Sequence, residues 1–259
     1  MIVVSRRALA AALLLVLMPT VAGAQGAVVE TLDELRNLPD PPEFRAPLPP
    51  KVDLSSTLPP PRNQADTDSC VSWAVTYAAA SNAARRAGLG TGVTLSPSFT
   101  YNQVSGNRFC RSGTSISRTL DFLRSAGALP VEEFAFDAGW CGRLPTDAER
   151  QRAVRFRIKG WSRFDAGAID TAKQQLARGV PVIFAMRTGL KMRALAGDAV
   201  LDADDNLLAG HAMLAVGYDD ARRAFRIHNS WGRSWADGGY GWFSYDFWRR
   251  NVRVGFVID

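Results

Sequence analysis

The sequence lacks an apolar run long enough to cross a membrane. The run near the N-terminus, Ala8–Met18, contains eleven residues, whereas a bilayer requires roughly 20. Arg6-Arg7 precede this run, and Pro19 and the small residues Ala22-Gly23-Ala24 follow it. This order is typical of a cleaved secretory signal over residues 1–24. We therefore expect export, to a periplasm or out of the cell, and no stable membrane insertion after signal cleavage.

The sequence also lacks a strong charge of either sign. Lys and Arg number 31 and Asp and Glu 25, so loss of the two signal arginines leaves 29 against 25, or +4. The basic residues are scattered and are not interleaved with aromatic residues on one predicted face, which argues against nucleic-acid binding. An acidic cluster lacks the glycine and the terminal Glu of a calcium loop and predicts a surface turn instead. It comprises Asp202, Asp204, Asp205 and Asn206.

Cysteine is scarce, with only Cys70, Cys110 and Cys141 in the chain. An exported chain with three cysteines can close one disulfide and keeps one free thiol. Cys70 lies among the chemically informative residues described below, so we predict a disulfide between Cys110 and Cys141. Closing a loop of about 30 residues stabilises a fold by roughly 2 to 4 kcal/mol.

Proline is concentrated in one segment, since nine of the fourteen lie from Pro39 to Pro61. This density excludes a regular helix or a central strand and predicts an extended, polyproline-like lead-in. A short helix near Thr31 to Leu38 is predicted before it. We therefore divide the chain into the signal, a lead-in or short pro-segment over 25–61, and one domain over 62–259.

The hydrophobic period changes along this domain. Cap signals and helical spacing predict helices in the first part, with one more among the strands; they begin at Cys70, Ser96-Pro97, Ser115, Thr146 and Asp170. Period-two alternation predicts strands in the second part; they cover Phe156 to Trp161, Val180–Met186, His211–Tyr218, Ala224–Asn229, Tyr240–Tyr245 and Val252–Ile258. Helices first and strands second indicate an α+β chain of two packed halves with a ligand cleft between them.

Cys70, His211 and Asn229 occur in the order of a thiol nucleophile, its base and the residue that orients the base. At the first turn of a helix, unpaired N–H groups and the helix dipole would lower the pKa of the Cys70 thiol, and an imidazolium would favour the thiolate further. Asn229 would accept a hydrogen bond from the imidazole nitrogen that faces away from the thiol. By strand alternation His228 points away from the cleft, which indicates a structural or a surface position.

Two further residues complete the predicted site. Gln64 lies six residues before Cys70 and can donate its side-chain NH2 beside the backbone N–H of Cys70. These two donors would form an oxyanion hole for acyl transfer. Trp231 can cover the bond between His211 and Asn229 and keep water away from it.

From about Val52 to the C-terminus, the sequence resembles the papain family (C1-type) of cysteine peptidases in a short, bacterial-style form. The matching stretches are Asn63-Gln64, Ser69-Cys70, Leu95-Ser96, Pro181-Val182, Gly210-His211-Ala212, Val216-Gly217-Tyr218, Asn229-Ser230-Trp231-Gly232 and Gly239-Tyr240. The resemblance implies a helical left subdomain packed on a β-barrel-like right subdomain, with the active site in the cleft between them. It also implies an acyl-enzyme mechanism with no metal and no organic cofactor.

Some residues depart from the family pattern. Thr67-Asp68-Ser69 stand where the family has Cys-Gly-Ser, and Cys110-Arg111-Ser112-Gly113 stand for its Cys-x-Gly-Gly loop. Because that loop normally pairs with the substrate backbone, the resemblance assigns Ser112 and Gly113 to substrate binding, together with Gly210 and Trp231. Arg111 is either a solvated side chain or a contact for an acidic substrate group. The family's long inhibitory propeptide has no counterpart, so control of activity would come from localisation, from a partner or from the proline-rich lead-in lying across the cleft.

We therefore expect an exported cysteine endopeptidase that hydrolyses peptide bonds through a thioester acyl-enzyme. It would act as a monomer on a protein or peptide substrate, with an inhibitor or immunity-type protein as a candidate partner. A cell-wall amidase or transpeptidase with the same triad is one alternative. A non-catalytic papain-like protein whose cleft only grips a peptide is another, because function resides in sites and not in folds.

Overall fold

A computed structural model describes residues 26–43, 46–204 and 209–259. The predicted signal peptide, and Asp205 and Asn206 of the acidic cluster, lie outside the described residues. The helices and strands follow the predicted order, with most helices in the first half of the chain and most strands in the second. The fold is α+β, as predicted.

A central helical segment forms the middle of the first half. It consists of α1 (Cys70–Ser72), a π-helical stretch (Trp73–Ala80) and α2 (Ser81–Arg86). Every residue from Cys70 to Ala80 is buried. Burial on all sides is expected for a helix whose residues are mostly hydrophobic on every face. The predicted start at Cys70 is confirmed, and the π-helical geometry, which is common near functional sites, was not predicted.

Side-chain caps fix the starts of the next helices, because a cap oxygen accepts one of the unpaired N–H groups of the first turn. Ser96, Ser115 and Thr146 each cap the helix that follows, and Thr146 forms a reciprocal capping box with Glu149. These helices are α3 (Pro97–Val104), α4 (Ile116–Ala126) and α5 (Asp147–Ala153), followed later by α6 (Ile169–Ala177), α7 (Leu190–Arg193) and α8 (Tyr245–Asn251).

One mainly antiparallel sheet contains the strands of the second half together with an earlier strand. The strands are β2 (Lys51–Asp53), β4 (Trp161–Asp165), β5 (Val182–Arg187), β6 (Val200–Leu201), β7 (Gly210–Asp219), β8 (Ala224–His228), β9 (Tyr240–Ser244) and β10 (Val254–Ile258). Their order in the sheet is β4-β10-β5-β7-β8-β9-β6, with β2 also paired to β7. A separate parallel pair joins β1 (Ala27–Val28) to β3 (Thr114–Ser115).

Strand β7 lies between the two hydrophobic cores. Alternate residues, Ala212, Leu214 and Val216, pack with the central helical segment, because successive side chains of a strand point to opposite faces. Met213 and Ala215 pack on the other face, with α6 and α8. Burial on both faces therefore fixes the position of β7 relative to Cys70.

Several predicted elements were wrong. Residues near Phe156 form a 3-10 turn (Val154–Phe156), and β4 begins only at Trp161. Helix α8 was not predicted, because its apolar residues continue those of β9 and only the Ser244 cap separates the two elements. The predicted helix near Thr31 is a series of turns, although Leu35 within it is buried. The lead-in was predicted to be extended, and within it Lys51–Asp53 forms an edge strand paired with β7. These three residues contain no proline, so their N–H groups are free to bond.

The structure contains the disulfide between Cys110 and Cys141, and Cys70 is the free thiol. None of the helices in the described part of the chain is both long and apolar enough to cross a bilayer. His228 is buried on β8, where its Nε2 donates a hydrogen bond to the carbonyl oxygen of Pro59 at 3.1 Å. It therefore ties the lead-in to the sheet, as a structural histidine does.

We expect the protein to lose stability as pH falls from 7 to 4, in part through His228. Burial lowers the pKa of His228 to about 4, below the ordinary value near 6.5. The unfolded chain thus binds the proton first, and stability that is present above pH 6.5 is lost on acidification. At pH 4 this single group accounts for about 3 kcal/mol.

The measurement is urea unfolding at pH 7 and pH 4 for the wild type and for His228→Gln, which retains a donor for Pro59 but does not titrate. The substitution should reduce the acid-induced loss in the free energy of unfolding by about the same 3 kcal/mol. An identical pH dependence in both proteins would contradict this account of His228.

Candidate active site

Cys70 is the first residue of α1 and is fully buried. Its thiol receives the backbone N–H of Ala212, the residue after His211, and backbone N–H groups of its own first turn. These contacts lower the thiol pKa, but burial dominates and raises the pKa of Cys70 to about 12. The sequence-based expectation of a lowered pKa is therefore wrong for this structure, because water is excluded from the thiol and the thiolate is left without solvation.

His211 lies near the start of β7 and is held by Asn229. Its Nε2 donates to Oδ1 of Asn229 at 2.8 Å, and the backbone N–H of Ser230 donates to the same oxygen at 2.8 Å. The Trp231 ring stacks on the imidazole at a centroid distance of 4.6 Å. These contacts fix the ring and its tautomer, so that Nδ1 carries the free lone pair.

Nδ1 of His211 is buried and has no hydrogen-bond partner among the described residues. Burial lowers the pKa of His211 to about 4, an effect that the bond to Asn229 opposes and the charge of Arg193 reinforces. The imidazole is therefore neutral near pH 7. Cys70 and His211 form a neutral pair in this structure and not the predicted ion pair.

Gln64 is also fully buried, and its side-chain amide is fixed at both ends. The Ser230 hydroxyl donates to its Oε1 at 2.6 Å, and its Nε2 donates to the carbonyl oxygen of Thr67 at 2.7 Å. One hydrogen of the NH2 group remains beyond this bond. Ser230 thus orients both Gln64 and Asn229, a role that sequence reasoning missed although Ser230 lies within the matched motif.

A backbone segment of the chain itself, Gly26 with β1, occupies the cleft. The N–H of Gly26 donates to the carbonyl oxygen of Gly210 at 3.0 Å, and the N–H of Thr114 donates to the carbonyl oxygen of Gly26 at 2.9 Å. A Cβ added to Gly113 would lie 2.2 Å from the Gly26 oxygen, and one added to Gly210 would lie 2.0 Å from the Ala27 oxygen. Two of the residues assigned to substrate binding are therefore glycines against which a backbone packs closely.

The sequence analysis considered the lead-in as a means of control, but it did not identify residues 26–28, because a two-residue strand has no measurable period. Of the other two substrate-binding candidates, Trp231 stacks on His211. Ser112 is bonded to Tyr101, whose hydroxyl donates to the Ser112 backbone oxygen and accepts from the Ser112 N–H. Arg111 forms an ion pair with Asp66 at 2.6 Å, and both side chains are more than half exposed. Of the two interpretations of Arg111, the solvated one describes this arrangement better.

No group of three or more His, Cys, Asp or Glu side chains within the described ranges is placed to hold a metal ion. The groups of the predicted site that the structure describes are the Cys70 thiol, the His211–Asn229 pair and the Gln64 amide. A thiol beside a fixed imidazole is an arrangement suited to nucleophilic acyl transfer.

Known proteins share this arrangement of elements. Among solved structures, the chain is similar to xylellain, a cysteine protease from Xylella fastidiosa, with 27% sequence identity and a TM-score of 0.78 over 91% of this chain and 96% of that one. It has the same fold as the bromelain protease from Ananas comosus in complex with the E64 inhibitor, with 18% identity and a TM-score of 0.69 over 82% and 99% of the two chains.

Among curated sequences, the chain is 26% identical over 205 residues to Peptidase 1 of Euroglyphus maynei and 25% identical over 208 residues to cathepsin K of Mus musculus. The aligned regions cover 76% and 77% of this chain but only 61% and 60% of those two proteins. The model of the papain family cysteine proteases matches residues 48–251. The chain belongs to the papain family of cysteine proteases.

Proposed function

We propose that this protein is an exported cysteine endopeptidase that uses Cys70 as nucleophile, His211 as base, Asn229 as the orienting residue and Gln64 in the oxyanion hole. The observation that carries the proposal is the fixed imidazole. Asn229 holds Nε2 at 2.8 Å, which leaves the unpaired Nδ1 to take the thiol proton. The thiol itself contacts the N–H of Ala212, one residue beyond that imidazole.

In the proposed reaction, His211 accepts the proton of Cys70 and the thiolate attacks the peptide carbonyl carbon. The developing oxyanion is bound by the backbone N–H of Cys70 and the free N–H of Gln64. The imidazolium then protonates the leaving amine, which gives a thioester and the first product. His211 next activates a water molecule that hydrolyses the thioester and frees the thiol.

Residues 26–28 hold this enzyme in a latent state. Gly26 and β1 cover the cleft and exclude water from Cys70 and His211, so that the neutral forms of both groups are favoured. The segment is not itself placed for cleavage, because the carbonyl oxygen of Gly26 is bound by the N–H of Thr114 and not by the oxyanion donors. Displacement of the segment would hydrate the pair and permit the thiolate–imidazolium form.

The substrate class is proteins or peptides, a proposal supported by the family and by the backbone that already occupies the cleft. A cell-wall amidase or transpeptidase would act on different bonds with the same residues, and a papain-like binding protein would not use the thiol at all. No described contact favours either alternative over peptide hydrolysis.

The first test is covalent labelling with the epoxide inhibitor E-64, followed by intact-mass analysis. We expect one adduct on the wild type, on Cys70, and none on Cys70→Ala. His211→Ala should label far more slowly, because the thiol loses its base. If neither the folded, reduced wild type nor the Gly26→Val variant described below forms an adduct, the proposal is contradicted and a binding protein is favoured.

The oxyanion hole can be tested with Gln64→Ala. Loss of one such donor lowers kcat by about 10² to 10³, so kcat for a peptide substrate should fall within this range. KM should change little, since the interaction forms mainly in the transition state. The matched control is Gln151→Ala, an exposed residue of α5. An unchanged kcat in Gln64→Ala would remove this residue from the mechanism.

Latency can be tested with Gly26→Val. A Cβ at this position would lie 2.4 Å from the carbonyl oxygen of Asp68, so the side chain should displace the segment from the cleft. We expect the rate of Cys70 labelling to rise about tenfold or more, the factor that corresponds to about 1.4 kcal/mol of lost docking energy.

The matched control for Gly26→Val is Gly92→Val, because a Cβ at Gly92 meets no atom within 4 Å. This variant should label at the wild-type rate. Equal labelling rates in all three proteins would show that residues 26–28 do not restrict access to Cys70.

A further inference from the structure

Asp68 is a charged residue beside the nucleophile for which the reaction has no role. It lies two residues before Cys70, its side chain is half-buried, and its carboxylate makes no hydrogen bond or ion pair that the described part of the chain provides. In the family pattern given above, this position is usually glycine, whereas this chain has Asp68. A half-buried carboxylate without a partner gains more from a cationic ligand than a fully solvated one.

The charges around Asp68 leave one net negative charge at this wall of the cleft. Arg111 and Asp66 pair with each other at 2.6 Å and cancel. Arg111 also acts on Asp68 through space, but without forming a salt bridge to it. On the opposite side of the cleft, Arg193 lies close enough to His211 to oppose its protonation. Asp68 is thus the carboxylate left for a ligand.

Gly26 shows where a bound backbone runs relative to Asp68. The N–H of Gly26 bonds the carbonyl oxygen of Gly210. A Cβ built on Gly26 would point directly at Asp68, 2.5 Å from its Cβ and 2.4 Å from its carbonyl oxygen. The chain's own segment fits only because residue 26 has no side chain.

A substrate must differ from this segment in one respect. Its carbonyl must face the thiol of Cys70 and the N–H of Gln64, and not the N–H of Thr114. If it keeps the N–H contact with Gly210, the residue before the scissile bond carries its side chain along Asp68. A peptide that runs in the opposite direction to β1 would place its Cβ elsewhere than the position built on Gly26, which is too close to Asp68.

We propose that Asp68 makes this protease selective for Arg or Lys immediately before the scissile bond. The proposal rests on the proposed function and names its substrate class. The carboxylate of Asp68 would receive two parallel N–H bonds from a substrate guanidinium, a bidentate arrangement that adds both binding energy and geometric specificity. An acidic residue at the same place would meet the uncompensated charge of Asp68, so Arg111 does not select acidic substrates.

The test uses two fluorogenic peptides that differ only in Arg or citrulline before the scissile bond, because citrulline keeps the shape of arginine and lacks its charge. At pH 7 and low salt, we expect the wild type to prefer Arg at least tenfold in kcat/KM, mainly through KM. Asp68→Asn should lower kcat/KM for the Arg peptide about tenfold and leave the citrulline peptide within about twofold. Asp246→Asn, an exposed acidic residue of α8, is the control for net charge and should change neither value.

Binding provides a readout that does not depend on catalysis. Product peptides that end in Arg or citrulline are titrated calorimetrically into the Cys70→Ala protein that also carries Gly26→Val to open the cleft, with and without Asp68→Asn. The Arg peptide should bind at least tenfold more tightly, and only while Asp68 is present. If the wild type cleaves no peptide, the proposed function fails while this measurement still tests Asp68.

Three results would overturn the inference while the proposed function stands. The wild type could cleave both peptides equally, Asp68→Asn could retain the Arg preference, or a peptide with Glu at this position could be preferred. The calorimetric result would also overturn it in either of two cases. The opened Cys70→Ala protein could bind both product peptides equally, or it could bind neither at millimolar concentration.

Discussion

The packing of the central helical segment against β7 is the contact on which the rest of this structure depends. The segment is buried on all sides over its first eleven residues, and β7 is buried on both faces. Neither element can shift without opening a core, because protein interiors are close-packed. This contact places the thiol of Cys70 at the N–H of Ala212 and thus beside His211. The two chemical groups come from opposite halves of the chain, and only the interface between the halves holds them together.

The second constraint is the desolvation of ionisable groups in the cleft. The thiol and the imidazole are both fully buried, and burial moves their pKa values in opposite directions, each toward the neutral form. The local hydrogen bonds favour the charged forms but are weaker than this effect. The same residues can therefore serve as a latent pair under a covering segment and as a reactive pair when water is admitted. Covering the site changes its chemistry as well as its accessibility.

Much of the fold could be predicted because its signals are local. Ser96, Ser115 and Thr146 cap helices through neighbours three residues away, and the alternation of β7 is continuous over its length. Errors arose where a local signal was ambiguous. The apolar residues after Ser244 are compatible with either a strand or a helix. The hydrogen bond from the N–H of Phe247 to the Ser244 hydroxyl oxygen caps the helix and favours it. The turns around Leu35 are set by the burial of that leucine against distant residues, which no local pattern contains.

The sequence by itself determined which residues could carry the chemistry. Its order of Cys70, His211 and Asn229, and the motif that holds Ser230 and Trp231, are fixed by residue identity, and the family follows from them. The tertiary structure alone decided that Gly26 lies across the cleft, that Arg111 pairs with Asp66 and that Asp68 is left without a partner. It also decided that the thiol and the imidazole are neutral. The physical reason is that charge states depend on the exclusion of solvent, and ion pairs depend on distances between residues far apart in the chain. Solvent exclusion and these distances arise only when the chain has folded.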